Sequence, residues 1–186
     1  MDTSLLITGF GPFEHVDPNP SEILASRSGH KHHILEVSYS ATRDFVAQLD
    51  PNSFETLLLI GVHGQAKEMR IELAARNKIE ERKDVLGLIP MQREIRPGGP
   101  EIIPGTLWPL VNIDEFLRSE GAETSDDADG FLCNFVYYEA LSRFPNKKVG
   151  FLHVPLVAEM PIEDQQRKLK CLLELIGRAA DSRTTQ

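Results

Sequence analysis

Short apolar runs, each stopped by glycine and proline, open the chain. Leu5-Leu6-Ile7-Thr8 ends at Gly9-Phe10-Gly11-Pro12-Phe13, a pattern typical of a buried strand that leads into a loop. Asn19-Pro20-Ser21-Glu22 then predicts the start of a helix, because proline suits a first helical position. The chain therefore begins with the order strand, loop, helix.

The same alternation continues through the middle of the chain. Residues 32–39 and 56–62 are strand candidates, and residues 41–49 between them are predicted to form a helix with Ser40 as its N-cap. From residue 69 to residue 75 the odd positions are apolar. That period of two predicts a half-buried strand with Glu72 on its polar face.

Residues 77–111 form a long segment rich in proline and glycine, which we interpret as a lid or an interface arm. The remaining pattern predicts helices over residues 112–119 and 130–144, a strand over 148–154 and a terminal helix over 161–180. Strands that alternate with helices predict an α/β layered fold. Because the chain has 186 residues and no repeat or linker, we expect one domain, residues 1–186.

Composition and charge narrow the classes of function. The chain is 41% hydrophobic and carries 20 basic against 28 acidic residues, a net charge of −8 without a basic run. That balance disfavours nucleic acid as a partner. No stretch approaches the roughly 18 apolar residues of a membrane span, and Met1-Asp2-Thr3-Ser4 lacks the basic start of a signal peptide. We expect no membrane partner and a cytoplasmic location.

Cys133 is the candidate nucleophile. It follows an acidic, capping-rich segment, residues 126–130, which places it in the first turn of the predicted helix. A helix N-terminus stabilises a thiolate, so we expect a lowered pKa, and its free N–H groups could form an oxyanion hole. The alternative is that Cys133 is a small core residue. Cys171 lies inside the amphipathic terminal helix and is expected to pack rather than react.

His153 is the best placed of the six histidines to act as a base. It ends an apolar run and so belongs at the carboxyl end of a central strand, where α/β sheets build their sites. The other histidines, His63 among them, are expected to be solvated. Glu72 is a candidate to orient the imidazole, although a solvated surface position is the alternative. His and Cys do not recur at the short spacings of metal sites, so no metal is expected.

Four blocks of the sequence can be compared with a known family. They are Leu6-Ile7-Thr8-Gly9-Phe10-Gly11-Pro12-Phe13 with Asn19-Pro20-Ser21; Gly61-Val62-His63-Gly64 with Glu72-Leu73-Ala74-Ala75-Arg76-Asn77; Phe131-Leu132-Cys133-Asn134-Phe135-Val136-Tyr137-Tyr138; and Gly150-Phe151-Leu152-His153-Val154-Pro155. In order and spacing these blocks resemble the type I pyroglutamyl peptidases, also called pyrrolidone-carboxylate peptidases, which are cysteine enzymes of the cytosol. Together the blocks span most of the chain.

The resemblance implies a single-domain three-layer α/β/α sandwich with a central twisted, mostly parallel mixed sheet. It implies that Cys133 is the nucleophile, His153 the general base and then acid, and Glu72 the orienting carboxylate. Phe10 and Phe13 are the implied pocket residues. The implied activity is hydrolysis of an N-terminal pyroglutamyl residue from peptides through a thioester, without cofactor or metal, by an enzyme that often forms dimers or tetramers.

Several positions depart from the family pattern. Arg70 and Leu73 stand where the family usually has Ser or Thr before the glutamate and Lys or Arg after it, and Glu14 replaces a common glycine. Val62 lies where several members place a glutamine near the substrate, and Asp129 where a glycine commonly precedes the cysteine. These departures leave two alternatives open: a non-catalytic peptide-binding relative, or a cysteine amidohydrolase with a different acyl specificity.

Overall fold

A mixed β-sheet is the centre of the computed structural model, which describes residues 5–181 of the chain. Within these residues the strands are β1 (Leu5–Phe10), β2 (Lys31–Leu35), β3 (Thr56–Val62), β4 (Arg70–Glu72), β5 (Ala74–Arg76), β6 (Ile102–Pro104), β7 (Glu123–Ser125) and β8 (Lys148–Val154). The large sheet has the order β2-β1-β3-β8-β4-β7, and its pairs are parallel except the antiparallel pair of β4 and β8. β5 and β6 form a separate antiparallel pair.

Helices cover both faces of the large sheet. In the described part of the chain they are α1 (Pro20–Ser26), α2 (Tyr39–Gln48), α3 (Ile113–Glu120), α4 (Leu132–Arg143) and α5 (Ile162–Asp181). Helices α2 and α4 contribute to one hydrophobic core, and α1, α3 and α5 contribute to the other. This arrangement confirms the predicted α/β fold with a mostly parallel mixed sheet. No helix within residues 5–181 is both long enough and apolar enough to cross a membrane.

Strand β3 shows how the sequence divides the two cores. Its side chains alternate between the faces of the sheet, as pleated backbone requires. Leu57 and Leu59 pack in the core under α2 and α4, whereas Leu58 and Ile60 pack in the opposite core, and all four are fully buried. A strand buried on both faces reads as a continuous apolar run, which explains why β1, β3 and β8 could be found from the sequence.

The direction of the strands predicts which edge of the sheet holds a binding site. β1, β3 and β8 are consecutive parallel neighbours, so their carboxyl ends and the loops that follow them meet at one edge. Parallel α/β sheets build their binding sites at that edge. His153 is the penultimate residue of β8, at the expected carboxyl end of a central strand.

Some predicted boundaries were wrong. β2 ends at Leu35 rather than at residue 39, and α2 begins at Tyr39 with Ser38, not Ser40, as its N-cap. The Ser38 hydroxyl accepts the backbone N–H of Ala41 at 3.2 Å, which satisfies an otherwise unpaired donor of the first turn. α4 begins at Leu132, two residues later than predicted, and Cys133 remains in its first turn.

The strand predicted over residues 69–75 is two strands that belong to different sheets. At Leu73, between β4 and β5, the N–H donates to the Ser125 carbonyl at 2.6 Å and the carbonyl accepts from Gly105 at 2.8 Å. The expectation that Glu72 projects from a polar face was also wrong, because β4 lies between β8 and β7 and Glu72 is 0% exposed. Strand β7 was not predicted at all, since Glu123-Thr124-Ser125 carries no apolar signal.

Residues 77–111 are only partly an open arm. The segment contains β6 and a 3₁₀ turn, Trp108–Leu110, whose Trp108 is buried in the core beneath the sheet. Apolar side chains are exposed on the part of the segment before β6, and also at the first residue of β6: Val85, Leu86, Leu88, Ile89, Met91 and Ile102. The segment therefore has a packed end and an end that presents apolar surface.

Asn134 joins α4 to the chain around β5, and we expect Asn134→Ala to destabilise the fold. Its Oδ1 accepts the Arg76 N–H at 2.8 Å, and its Nδ2 donates to the carbonyls of Arg76 at 2.8 Å and Lys78 at 3.1 Å. Because the substitution leaves buried backbone groups unpaired, the free energy of unfolding in urea should fall by about 2–4 kcal/mol. Asn146→Ala, at an exposed asparagine of a surface turn, is the control and should change it by less than about 0.5 kcal/mol. Equal losses in the two variants would contradict this role.

Candidate active site

A buried hydrogen bond joins two of the predicted residues. His153 Nδ1 lies 2.7 Å from Glu72 Oε1, and the two side chains are 2% and 0% exposed. A carboxylate can only accept, so Nδ1 carries the hydrogen and Nε2 is left as the nitrogen that can exchange a proton with a reactant. Glu72 and His153 therefore form the pair that the sequence predicted.

The backbone of Glu72 is held as firmly as its side chain. Its carbonyl oxygen accepts the indole N–H of Trp108 at 2.7 Å and the hydroxyl of Tyr137 at 3.0 Å. Its other carboxylate oxygen, Oε2, is buried without a hydrogen-bond partner among the described residues. The donors come from the 3₁₀ turn and from α4, so both core layers help to fix the carboxylate that orients the imidazole.

Cys133 reaches the same edge of the sheet from α4. Its Sγ lies 2.6 Å from where a Cβ on Gly61 would stand, so only glycine leaves room for the sulfur above β3. Gly61 is the direct partner of His153 in the parallel register of β3 and β8. The thiol and the imidazole consequently lie over neighbouring positions of the sheet, and both line one cavity.

The thiol of Cys133 is not activated in advance, contrary to the expectation from the helix N-terminus. Burial, followed by the charges of Asp129 and Glu72, raises its pKa to about 12. Arg82 and the thiol's own backbone N–H act in the opposite direction but do not compensate. Desolvation and nearby carboxylates thus shift the thiol pKa in the direction opposite to the one expected from the helix N-terminus.

Two cavities meet at Cys133. The first, about 320 Å³, is mostly apolar and is lined by Phe10, Phe13, Val16, Val37, Phe131 and Leu156 among others. The second, about 390 Å³, is mostly polar and is lined by His63, Gln65, Glu80, Arg82, Asp129 and His153 among others. Phe10 and Phe13 lie on the apolar side, where the resemblance implied a pocket, and His153 lines only the polar side.

Arg82 is a site residue that the sequence analysis missed. Its guanidinium lies 5.0 Å from the ring centre of Phe13 and 4.5 Å from that of Phe131, and it bonds Glu14 at 3.1 Å. It lines both cavities and lowers the pKa of Cys133. Nothing in the surrounding loop sequence, one arginine among several charged residues, could have identified it.

His63 was also misjudged as solvated. Its side chain is only 15% exposed, its ring centre lies 5.4 Å from that of His153, and its Nε2 lies 3.1 Å from Asp129 Oδ2. Burial and the neighbouring charges of His153 and Arg70 lower its pKa. His63 is therefore part of the polar cavity and not a surface residue.

Cys171 lies on α5 with a half-exposed side chain, packed away from both cavities. Burial and the charge of Glu120, to which it is hydrogen-bonded, raise the pKa of its thiol. Within residues 5–181 no group of three or more His, Cys, Asp or Glu side chains is arranged to hold a metal ion. Cys133 is thus the cysteine that the structure brings beside a histidine–carboxylate pair.

Comparison with known proteins identifies relatives over nearly the whole chain. A family model described as pyroglutamyl peptidase matches residues 3–177. The pyrrolidone-carboxylate peptidase of Halalkalibacterium halodurans is 30% identical over 179 residues, covering 86% of this chain and 87% of that protein. The corresponding protein of Staphylococcus saprophyticus is 30% identical over 187 residues, with 92% and 87% covered.

Solved structures of pyrrolidone carboxyl peptidases have a similar fold. The crystal structure of pyrrolidone carboxyl peptidase from Thermus thermophilus is similar with a TM-score of 0.79 at 28% identity, covering 92% of this chain and 99% of that one. The enzyme from Thermococcus litoralis, at 21% identity, shares the fold with a TM-score of 0.82 over 96% of this chain and 95% of its own.

The raised pKa of the Cys133 thiol predicts how its rate of alkylation depends on pH. In a Cys171→Ala variant, iodoacetamide should alkylate Cys133 at a rate that still increases between about pH 7 and about pH 10, because only the thiolate reacts and the thiol pKa is about 12. Mass spectrometry of the labelled peptide measures the rate. A rate that levels off near neutral pH would show a preformed thiolate and contradict the dominance of burial.

Proposed function

The chain belongs to the pyroglutamyl peptidase family, and we propose that Cys133, His153 and Glu72 carry out its reaction as nucleophile, acid–base and orienting group. The family is one of cysteine omega peptidases, which remove an N-terminal pyroglutamyl residue from peptides. The observation that supports the assignment best is the sealed contact of 2.7 Å between Glu72 and His153, beside a cavity that His153 shares with Cys133.

The raised thiol pKa determines how the first step proceeds. Because Cys133 is protonated at neutral pH, its proton passes to His153 Nε2 as Sγ attacks the pyroglutamyl carbonyl carbon. The imidazolium that forms is stabilised by Glu72 at Nδ1. Backbone N–H groups in the first turn of a helix have no partner within the helix, so those at the start of α4 would be available to stabilise the oxyanion.

The remaining steps return every group to its starting state. The carbon–nitrogen bond breaks as Nε2 gives its proton to the leaving amine, which leaves a thioester on Cys133. Water then attacks the thioester while Nε2 accepts its proton, and the thiolate leaves and is reprotonated by His153. The products are pyroglutamate and the shortened peptide, and no cofactor or metal is required.

The apolar cavity is the proposed pocket for the lactam ring. A pyroglutamyl group carries no charge and is compact, so it matches a cavity lined by Phe10, Phe13 and Phe131. A prolyl group has a ring of the same size but a charged amine, and its desolvation in this cavity would be costly. This difference supports pyroglutamyl over prolyl substrates.

The competing hypotheses were a non-catalytic binder and an amidohydrolase with another acyl specificity. The buried Glu72–His153 pair favours catalysis, because a buried carboxylate that only supported the fold would not need a histidine at a cavity wall. Val62 and Glu14 line the apolar cavity, so these departures from the family pattern lie where acyl selectivity would be decided.

We also propose a cytoplasmic location and assembly into a homo-oligomer. Two free cysteines suit a reducing compartment, which supports a cytoplasmic location. The exposed apolar side chains between residues 85 and 102 are surface that a second copy of the chain would cover, which supports a homo-oligomer.

We expect Cys133→Ala to abolish release of the amine from a chromogenic pyroglutamyl amide, because no other described thiol faces His153. Cys171→Ala is the matched control and should retain nearly full kcat/KM. A wild-type enzyme that cleaves prolyl or other aminoacyl amides but not the pyroglutamyl amide would instead favour a different acyl specificity. Equal loss in the two cysteine variants would refute the nucleophile assignment.

The substitution Phe13→Ala tests substrate binding in the apolar cavity separately from the reactivity of Cys133. It is half-buried, whereas Phe10 belongs to the core, so Phe13→Ala endangers the fold less. We expect kcat/KM for a pyroglutamyl amide to fall about 10-fold or more from lost apolar contact. The rate of Cys133 alkylation should change by less than about 2-fold, since a small reagent does not use the lactam pocket. Unchanged kcat/KM would place the pocket elsewhere.

A further inference from the structure

Asp129 is the one residue of the polar cavity whose backbone is strained. Its φ is +61°, in the left-handed region that favours glycine. Asparagine and aspartate tolerate this region best among other residues, at a cost of about 1 kcal/mol. The chain thus keeps the glycine-like turn and adds a carboxylate to the active-site cavity.

The pairing of Asp129 with His63 determines the charge that the cavity presents. The Gln65 N–H donates to His63 Nδ1 at 3.4 Å, so Nε2 carries the hydrogen that it donates to Asp129 Oδ2 at 3.1 Å. With both nitrogens engaged, His63 has no free lone pair and cannot serve as a second base. The imidazole is neutral, and the pair retains the negative charge of Asp129, whose side chain is 55% exposed.

The other charges of the cavity do not cancel this one. Glu80 adds a second carboxylate, and its Oε1 accepts the Gly130 N–H at 3.1 Å. Arg82 is the cation of the same cavity, but its guanidinium is bonded to Glu14 and lies against Phe13 and Phe131. Arg70, whose charge also acts on His63, is a second cation near the cavity. With Arg82 paired to Glu14, the two carboxylates of Asp129 and Glu80 still outnumber it, so the polar cavity has an excess of negative charge.

The chemistry of the reaction identifies what occupies this cavity. His153 must protonate the leaving nitrogen, and it lines the polar cavity but not the apolar one. With the lactam ring on the apolar side of Cys133, the residue that follows pyroglutamate must lie on the polar side. The volume of about 390 Å³ is sufficient for one amino-acid side chain.

We propose that Asp129, held by His63 and assisted by Glu80, selects substrates with a cationic residue directly after the pyroglutamyl group. This inference rests on the proposed function and assigns it a specificity that a residue without a charged side chain at position 129 could not supply. Asp129 also opposes formation of the Cys133 thiolate, and a lysine or arginine side chain bound beside it would offset that effect.

The test compares substrates that differ only in charge. The dipeptide amides pyroglutamyl-lysine and pyroglutamyl-norleucine have side chains of nearly equal length, and the amide removes the terminal carboxylate. We expect wild-type kcat/KM to be about 10-fold higher for lysine at low ionic strength, from attraction across a partly solvated cavity. The preference should shrink at about 1 M salt, where the screening length is about 3 Å.

Asp129→Asn and Asp129→Gly should reduce the lysine preference to less than about 2-fold, because each removes the charge. Asp129→Gly also relieves the positive φ and should not lower the melting temperature, which guards against misfolding as the cause. Asp126→Asn is the control: it removes the same charge from the same loop, at a side chain that is 79% exposed and outside the cavity, and should keep the preference.

The measurements distinguish failure of this inference from failure of the proposed function. Equal rates for lysine and norleucine, a preference that survives both Asp129 variants, or a loss just as large in Asp126→Asn would overturn this inference while leaving pyroglutamyl hydrolysis intact. Failure of the wild-type enzyme to cleave either amide would refute the proposed function, and this inference with it.

Discussion

The buried hydrogen bond between Glu72 and His153 constrains more of this structure than any other contact. A carboxylate with 0% exposure is costly unless it is paired, so its strand must bring it to the imidazole. β4 does so by running antiparallel to β8, against the shared direction of β1, β3 and β8. Trp108 and Tyr137 then bind the Glu72 carbonyl, which ties the 3₁₀ turn and α4 to the same point. The antiparallel pairing of β4 with β8 thus brings the Glu72 carboxylate within hydrogen-bond distance of His153.

A second constraint is space above the sheet. Gly61 admits the Cys133 sulfur, because any Cβ there would approach it to 2.6 Å. The close approach brings the thiol next to His153 but also partly buries it, and burial together with the charges of Asp129 and Glu72 raises its pKa. The position that brings the Cys133 thiol to His153 therefore also opposes formation of its thiolate. In the proposed mechanism the resting thiol is neutral and His153 takes its proton during attack, which would resolve the conflict.

The sequence was sufficient for features whose signal is local. Continuous apolar runs identified β1, β3 and β8, and an acidic capping segment before an apolar stripe identified α4 and hence the place of Cys133. It was insufficient where tertiary contacts decide. The burial of Glu72 depends on β7, whose three polar residues carry no strand signal. The helix-dipole argument for a lowered thiol pKa failed because desolvation depends on residues distant in sequence. Arg82, His63 and Asp129 matter only because folding brings their loops together.

The division of the site at Cys133 separates two kinds of specificity. In the reaction proposed above, the aromatic side chains on the apolar side would exclude a charged amine and so select the acyl group, whereas the charges on the polar side would act on the departing peptide. Because His153 lines only the polar side, proton transfer and leaving-group recognition share one cavity. A carboxylate placed there affects both: it attracts a cation and it opposes the thiolate. Under the inference drawn above, the positive φ of Asp129 lies where one charge would couple the choice of substrate to the reactivity of the proposed nucleophile.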